Sequence, residues 1–447
     1  MDQESGISKI ERFLFYIFLF CIPFQTRIIL SQWTRPFNEW TASFLYLTDI
    51  LLAAVLILWA IRWFLKKKKD GRVYDIMIYH KLPIWGWMLL GFFVVSTISI
   101  FRAGIVGLAI FRLIKLGELI LLFLYIRASA GKIFKLKTAA AVITVSGFFQ
   151  AVVAIIQYAK QGSMGLKILG ESQIGVDVYN VAVFIASNGV KYMRAYGTTP
   201  HPNVLAAWLA LALFTFYFWY SSWAGSARAT PARAGVTLAI YVVILFGFLF
   251  TFSRTMIGLW GLTALAAFIF LKNYRKRFNP VILTTLAVGV IFCIFFWPQV
   301  RSRILISGDE EAVTQRILYN EIAGGVTKTN PLLGVGIGQS VVDLMHRFRY
   351  YPQYFYQPTH NIYLLISSET GFLGLIFFLL FIFFLFWEKI GLKTDGRRRA
   401  RPPAAIYPLL IVSYFLLSGL FDHFLWTLQQ GSFILWLSLV LLTIKTD

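Results

Sequence analysis

The polar residues of this chain that could do chemistry are few, and they lie in four short stretches. These are MRAYGTTPHPN (193–203), TFSRT (251–255), a segment around Arg316, and THN (359–361). His360, in the last stretch, stands at the start of a long apolar run. A neutral imidazole can take up a proton near physiological pH, and a helix start presents backbone donors to an anion. The four stretches are therefore the candidates for a reactive site.

The cations among these residues suit an anionic ligand. Arg254 lies between two apolar runs with almost no loop, and a cation at that depth needs a counter-charge or a wet cavity. The structural alternative is an ion pair with an intramembrane acid, namely Asp49, Glu118 or Glu369. Arginine binds phosphate oxygens bidentately and stays charged. A base among fixed cations suits a reaction in which a hydroxyl attacks and a phosphate leaves.

Further polar residues are candidates for substrate contacts. The prolines around His201 fix the backbone, and Asn203 is placed to cap the next helix. RFRYYPQYFYQP interleaves Arg347 and Arg349 with aromatic residues, which indicates either an interfacial aromatic belt or a lip that contacts sugar or phosphate. The predicted substrate-binding residues are Arg194, His201, Asn203, Asn361, Arg347 and Arg349.

Metal ligands are scarce in the sequence. GDEEA (308–312) is a possible divalent-ion site, but the start of a solvated helix explains it better. Cys21 and Cys293 fall inside apolar runs, without metal-site spacing and without a disulfide framework. We therefore predict that the reaction uses no metal and no cofactor.

The elements that position these residues are apolar helices. The 447 residues are 58% apolar and only 14% charged, which is more apolar surface than a soluble fold can bury. Many runs reach about 18–20 residues, the length that crosses the hydrocarbon core. We predict an all-α polytopic membrane protein with about twelve transmembrane helices. The expected spans lie near 12–24, 41–64, 83–101, 105–126, 138–159, 203–221, 236–252, 255–271, 280–297, 361–386, 404–421 and 427–444.

The placement of charge predicts the topology. Basic residues concentrate in alternate connections, namely KKKKDGR (66–72), KNYRKR (272–277) and KIGLKTDGRRRAR (389–401). Lys and Arg are retained on the cytoplasmic side, so these loops and both termini should face inward. The net charge of +22 then reflects topology and anionic lipid, and does not indicate a nucleic-acid partner.

Two long segments are expected on the outward side, at 160–202 and 298–360. In the second, SGDEEAVTQRILYNEIAGG has Ser307 and Glu310 at capping-box spacing, followed by apolar residues at helical spacing. This predicts a short amphipathic helix that ends at Gly324–Gly325. NPLLGVGIGQS then predicts a glycine-rich turn, which lacks the lysine of a phosphate-binding loop.

Four stretches in order resemble the signature of the O-antigen ligase and polymerase superfamily. They are RAYGTTPHPNVLAAWLA, FTFSRTMIGLWG, QRILYNEIAGGVTKTNPLLGVGIG and THNIYLLISSETGFLGL, and the resemblance covers roughly residues 190–385. It divides the chain into N-terminal transmembrane helices 1 to 5 (1–159) and an O-antigen ligase-like catalytic region (160–447). The preceding spans fit the family only in number and hydropathy.

The resemblance implies a GT-C-type membrane glycosyltransferase in the inner (cytoplasmic) membrane, with its active site facing the periplasm. Such an enzyme moves a glycan from an undecaprenyl-diphosphate carrier to an acceptor hydroxyl, without metal and with inversion. By the resemblance, His360 corresponds to the essential histidine. The conserved arginines correspond to Arg254, Arg316 and Arg194.

The acceptor remains open between alternatives. A ligase passes the glycan to lipid A–core, and a polymerase passes it to another lipid-linked repeat unit. One dominant late outward loop favours the ligase, while the 160–202 loop keeps the polymerase open. A transporter of lipid-linked oligosaccharide would need charged groups along a path reachable from both sides, and here they gather on the outward side. A scaffold would bind no lipid diphosphate.

Overall fold

The computed structural model describes residues 2–70, 82–221, 230–270, 275–305, 311–391 and 403–444. The chain is mostly helical. The first half contains α1 (Asp2–Cys21), β1 (Arg27–Gln32), β2 (Ala42–Tyr46), α2 (Leu47–Asp70), α3 (Ile84–Ser99), α4 (Val106–Ser129), α5 (Leu136–Lys160), β3 (Val183–Ile185), β4 (Lys191–Met193) and α6 (Pro202–Ser221). The second half contains α7 (Pro231–Leu249), α8 (Arg254–Phe270), α9 (Arg275–Phe295), α10 (Trp297–Ile304), α11 (Glu311–Thr329), α12 (Ser340–Arg347), α13 (Ile362–Gly391), α14 (Pro403–Ser418), α15 (Phe424–Thr427) and α16 (Gln429–Val440).

Five helical segments within the described ranges are long and apolar enough to cross a membrane. They are Leu47–Leu65, Ile84–Arg102, Leu136–Lys160, Pro202–Tyr220 and Ile362–Gly391. The end of α9 together with α10 gives a sixth candidate, which is bent by 98°. Three shorter apolar helices lie at Ala234–Leu249, Arg254–Phe270 and Ile406–Ser418. The predicted helical membrane architecture is therefore confirmed, whereas the count of about twelve spans stays a prediction.

Small residues let the central helices approach one another closely. α6 is enclosed over most of its length, with Trp208 fully buried. A Cβ added at Gly147 of α5 would overlap the Cβ of Ala212 in α6, and one added at Gly247 of α7 would press on Ala151. In an apolar solvent, such close backbone packing is a main source of helix association. α6 is therefore tightly packed among its neighbours, and its first turn carries part of the candidate site.

The all-α prediction leaves out two short antiparallel hairpins, the first of which occupies the start of the span predicted at 41–64. β1 pairs antiparallel with β2 from Arg27↔Tyr46 to Gln32↔Ala42, and β3 pairs with β4 from Val183↔Met193 to Ile185↔Lys191. These segments lie between apolar runs, and their backbone groups must still find partners. A two-stranded ladder supplies them. The apolar periodicity that predicts the helices gives no signal for hairpins this short.

The predicted span at 361–386 is one helix that contains a break. Gly371 has φ 72° and ψ −178° inside α13, which interrupts the helical hydrogen bonds. The carbonyls of Ser368 and Glu369 instead accept from the backbone N–H groups of Val335 and Gly336, both at 2.9 Å. The glycine-rich turn predicted from the sequence therefore fills the break. Non-helical backbone inside an apolar helix is tolerated here because other protein groups satisfy its hydrogen bonds.

The helix in the 298–360 segment is longer than predicted. α11 runs from Glu311 to Thr329 and passes straight through Gly324 and Gly325, so the predicted stop is wrong. It ends two residues before Pro331, which cannot continue a helix. The proposed capping box at Ser307 and Glu310 lies outside the described residues.

Candidate functional site

The histidine that opens α13 lies against a second histidine. The ring centroids of His360 and His423 are 4.9 Å apart, and the ring planes make an angle of 73°. Tyr319 of α11 also stacks on His360, with ring centroids 6.0 Å apart and an interplanar angle of 27°. Nδ1 of His360 is buried and has no hydrogen-bond partner within the described ranges. Buried polar atoms are normally satisfied, so the His360 ring nitrogen is available to a ligand.

Backbone contacts bring these two histidines together. The N–H of Ile362 donates to the carbonyl of Gly419 at 2.8 Å, which ties the start of α13 to the end of α14. The Asn361 side chain accepts from the N–H groups of Tyr363 at 2.9 Å and Leu364 at 3.2 Å. Asn361 is therefore the cap of α13, and its amide oxygen positions His360.

A chain of hydrogen bonds reaches the same place from the 160–202 segment. Nη2 of Arg194 donates to Oδ1 of Asn203 at 2.6 Å, and Nδ2 of Asn203 donates to Oδ2 of Asp422 at 2.6 Å. The backbone N–H of His423 then donates to Oδ1 of Asp422 at 2.8 Å. Ser253 adds a bond to Oδ1 of Asn203 at 2.9 Å. The buried Arg194, the Asp422 carboxylate and the histidine pair thus form one network.

The prediction that Asn203 caps α6 is wrong. α6 begins at Pro202, and the backbone N–H of Asn203 donates to Nδ1 of His201 at 3.2 Å. His201 is therefore the residue that satisfies the helix start, which leaves the Asn203 side chain to bridge Arg194 and Asp422. Sequence spacing alone does not distinguish two adjacent residues of the first turn.

Arg254 is the first residue of α8 and is half-buried. It directly follows Ser253, so the start of α8 lies beside the network. Two of the acids weighed as its structural partners, Asp49 and Glu118, pair with Lys115 at 2.5 and 3.1 Å. These carboxylates are therefore engaged by another cation.

Two more arginines act on the network through their charge. Arg316 of α11 lies close enough to lower the pKa of both His360 and Asp422. Burial lowers the pKa of Arg194 to about 9, and the charge of Arg303 on α10 adds to this shift. Like charges so close to a single carboxylate make the site electropositive, which favours an anionic ligand.

Burial keeps the histidines neutral. It lowers the pKa of His360 below its usual value, an effect that Asp422 opposes and Arg316 strengthens. Burial likewise lowers the pKa of His201 and of His423 to about 3. Burial by itself would raise the pKa of Asp422, but the neighbouring histidines and Arg316 outweigh it and lower that pKa. At neutral pH the site therefore combines an ionised carboxylate with neutral imidazoles, of which His360 has an unpaired ring nitrogen within the described residues.

Sequence reasoning did not find Asp422, His423 or Arg303. The first two form a polar pair in the short connection between the apolar runs predicted at 404–421 and 427–444, and a carboxylate beside an imidazole at such a junction is a usable signal. Arg303 has no such signal, because nothing in the sequence distinguishes it from its neighbour Arg301. Its proximity to Arg194 depends on the bend between α9 and α10.

Two predicted substrate contacts lie at an exposed helix end. Arg347 forms an ion pair with Asp343 at 2.6 Å, one helical turn away on α12, and its side chain is 41% exposed. Arg349 follows on the exposed surface. This environment suits the interfacial belt weighed for these residues, and their part in substrate binding stays a prediction.

The fold and the site together define a class: a helical membrane protein with a buried histidine–carboxylate–arginine network. Residues 239–379 match the family model described as O-Antigen ligase, which confirms the resemblance to the O-antigen ligase and polymerase superfamily. Members of this family are membrane glycosyltransferase-type enzymes. The matched region contains Arg254, Arg316 and His360. No curated protein matches the chain.

Proposed function

We propose that this protein is a glycosyltransferase that moves a glycan from an undecaprenyl-diphosphate carrier to an acceptor hydroxyl on the outer face of the inner membrane. The acceptor is lipid A–core, so the protein is an O-antigen ligase. The reaction uses no metal ion. The family match at residues 239–379 and the electropositive network around His360 support this proposal.

The observation that carries the proposal is the contact of His360 with the Asp422 network. A neutral His360, whose ring lies 4.9 Å from that of His423, accepts the proton of the acceptor hydroxyl. The hydroxyl oxygen attacks the anomeric carbon of the donor sugar as the bond from that carbon to the diphosphate oxygen breaks. The electron pair leaves with undecaprenyl diphosphate, and displacement from the opposite face inverts the anomeric centre.

The arginines stabilise the leaving group. Arg254, at the start of α8, and Arg316, on α11, neutralise charge that grows on the diphosphate as the bond breaks. Arg194 is buried and donates to the Thr251 carbonyl at 2.7 Å as well as to Asn203. It therefore holds the donor side of the site in place and adds positive potential.

Asp422 completes the chemistry when the proton has moved. The imidazolium that forms at His360 carries a positive charge among arginines, which is unfavourable without a counter-charge. The ionised Asp422 supplies that charge, and its bonds to Asn203 and to the backbone of His423 hold it in position. Its role is electrostatic, and it takes up no proton itself.

An assay with purified full-length protein tests the proposal. The protein receives undecaprenyl-diphosphate-linked repeat units in the presence of a chelator, first alone and then with lipid A–core, and the products are weighed by mass spectrometry. Glycan on lipid A–core, with an inert first tube, is the expected result. Longer lipid-linked chains in the first tube would identify a polymerase. Inert tubes throughout, with intact donor and acceptor, would refute glycosyl transfer.

A further inference from the structure

A second polar cleft lies beside the His360–His423 pair. It opens between the β1–β2 hairpin, α4, the glycine-rich turn and the segment that follows His423. The residues that give it its character are Arg27, Trp40, Arg112, Lys115, Glu369 and Trp426. None of the predicted site residues lines this cleft.

The cleft shares a wall with the candidate site. The ring of Trp40 packs edge-on against the ring of His423, with centroids 4.9 Å apart. Thr427, another lining residue, makes a 2.7 Å hydrogen bond to Nδ1 of His423. Since His423 in turn packs on His360, Trp40 and His423 connect the wall of the cleft to the proposed base.

Two of the three cations in the cleft have a carboxylate partner. Arg27 pairs with Glu39 at 2.7 Å, and Lys115 pairs with Asp49 at 2.5 Å. Each of these ion pairs is close to neutral overall. The two pairs therefore contribute surface and hydrogen-bond donors to the cleft, but little net charge.

Arg112 is held differently. Its Nη1 donates to the carbonyl of Thr427 at 3.3 Å and its Nη2 to the carbonyl of Trp40 at 3.0 Å. Within the described ranges no carboxylate lies within ion-pair distance of it. Glu369 lines the same cleft, but its oxygens accept from Ser340 at 2.9 Å and Trp426 at 3.0 Å. A guanidinium has five N–H donors, so three of those on Arg112 remain for a ligand.

We propose that this cleft binds a phosphorylated sugar of the acceptor glycan, through a phosphate group that contacts Arg112. A fork fixed by two carbonyls is pre-organised for bidentate contact with such an anion. The rings of Trp40, Trp426 and Phe111 line the cleft and provide apolar surface of the kind on which sugar rings pack. This inference rests on the proposed function, since it assigns to the acceptor the cleft beside His360.

The test measures binding rather than turnover. The full-length protein is placed in phosphatidylcholine nanodiscs, and its affinity is measured for core oligosaccharide released from lipid A. One pool keeps its phosphates and a second pool is dephosphorylated with hydrofluoric acid. The wild type should bind the phosphorylated pool at least tenfold more tightly. Equal affinity for the two pools, or no binding of either, would overturn the proposal.

Substitutions at Arg112 test whether this side chain causes the preference for the phosphorylated pool. Arg112→Gln should bind both pools with the low affinity that the wild type shows for the dephosphorylated pool, and Arg112→Lys should recover part of the preference. Arg102→Gln is the matched control, because Arg102 is exposed and donates to Asn330 outside the cleft. A full phosphate preference in Arg112→Gln would exclude Arg112 as the anion contact. If that variant does not fold, the two wild-type affinities still decide the question.

A lipid headgroup offers the same phosphate chemistry and is a separate outcome. In phosphatidylglycerol nanodiscs the wild-type affinities should stay the same. Loss of oligosaccharide binding there, in proportion to the anionic lipid, would assign the cleft to a headgroup and overturn the glycan assignment. Failure of the proposed function has a different signature, namely intact phosphate-dependent binding with every turnover tube inert.

Discussion

The side-chain amide of Asn203 donates to the carboxylate of Asp422 at 2.6 Å, across 219 residues of sequence. This bond ties the first turn of α6 to the connection between α14 and α15. The amide oxygen of Asn203 accepts hydrogen bonds from Arg194 and Ser253, so this one side chain connects three separate parts of the chain. The electrostatics of the site therefore depend on the relative position of helices that are distant in sequence.

Replacing Asp422 by Asn should remove the negative charge at this position and keep the shape of the side chain. In Asp422→Asn the hydrogen bond to Asn203 can persist in altered form, but the counter-charge for His360 disappears. We expect turnover to fall by about 10- to 100-fold, since the interaction lost is worth about 1–3 kcal/mol. Initial rates in the glycan transfer assay measure this. Asp177→Asn is the control, because Asp177 is 99% exposed, and wild-type rates from Asp422→Asn would contradict the assigned role.

His360→Ala should abolish transfer while the protein stays folded and still binds the donor. A positioned general base contributes about 10²–10⁴-fold to a rate, so the remaining turnover should be at least about 10²-fold lower. Turnover and donor binding are measured on the same preparation. His346→Ala, which changes an exposed histidine at the end of α12, should behave as wild type. Near-normal turnover by His360→Ala would exclude the base assignment.

Arg254→Lys should lose most activity although the charge is kept. A single ammonium cannot reproduce the planar fork that contacts two diphosphate oxygens, and removing one such donor costs about 10²–10³-fold. The same substitution at the exposed Arg102 should have no effect on the rate. Retention of most activity in Arg254→Lys would show that position 254 supplies only charge.

The pKa values at the site predict how activity depends on pH. Because burial lowers the pKa of His360, the base stays neutral as the pH falls through 6.5, and the acid limb of the rate profile should lie below that value. A pH–rate profile of the wild type measures it, and replacing Arg316 by Gln should move the limb upwards. An acid limb above pH 7 would contradict a buried neutral base.

The same shifts predict acid sensitivity of the fold. The pKa of His423 is about 3 in the folded protein, so below its ordinary value near 6.5 the unfolded chain binds the proton and the folded chain does not. Stability is therefore present above pH 6.5 and is lost as the pH falls toward 3, by about 1.4 kcal/mol per pH unit for such a histidine. Thermal unfolding between pH 7.5 and 4.5 measures this, and His423→Gln should reduce the slope.

The break in α13 should be intolerant of any side chain. At Gly371 the backbone has φ 72°, and an added Cβ would overlap the Leu332 carbonyl. Gly371→Ala should lower stability by more than about 1 kcal/mol, from strain and lost docking of the glycine-rich turn. Gly324→Ala lies within α11, where an added Cβ meets nothing, and should stabilise by about 0.5–1 kcal/mol. Thermal melts of the two variants should therefore shift in opposite directions.

Much of the architecture follows from apolar periodicity, and particular residues show where it fails. The apolar runs correctly predict helices that include α3, α5 and α13, because burial in lipid demands internally bonded backbone. The break at Gly371 was not predicted, since a glycine inside an apolar run is compatible with an unbroken helix. Continuation of α11 through Gly324 and Gly325 was also missed, because the packing of α11 against α13 outweighs the low helix propensity of glycine.

The sequence by itself determined the class of protein and the residue types of its chemistry. Long apolar runs predict membrane helices, and a histidine or arginine that is buried beside such runs needs a partner or a wet cavity. Only the tertiary structure decided which of these residues meet. Asp422 and His423 join Arg194 and His360 because the start of α13 bonds to the end of α14 through Ile362 and Gly419, and because Asn203 at the start of α6 bonds to Asp422. No local sequence pattern records contacts between segments so far apart.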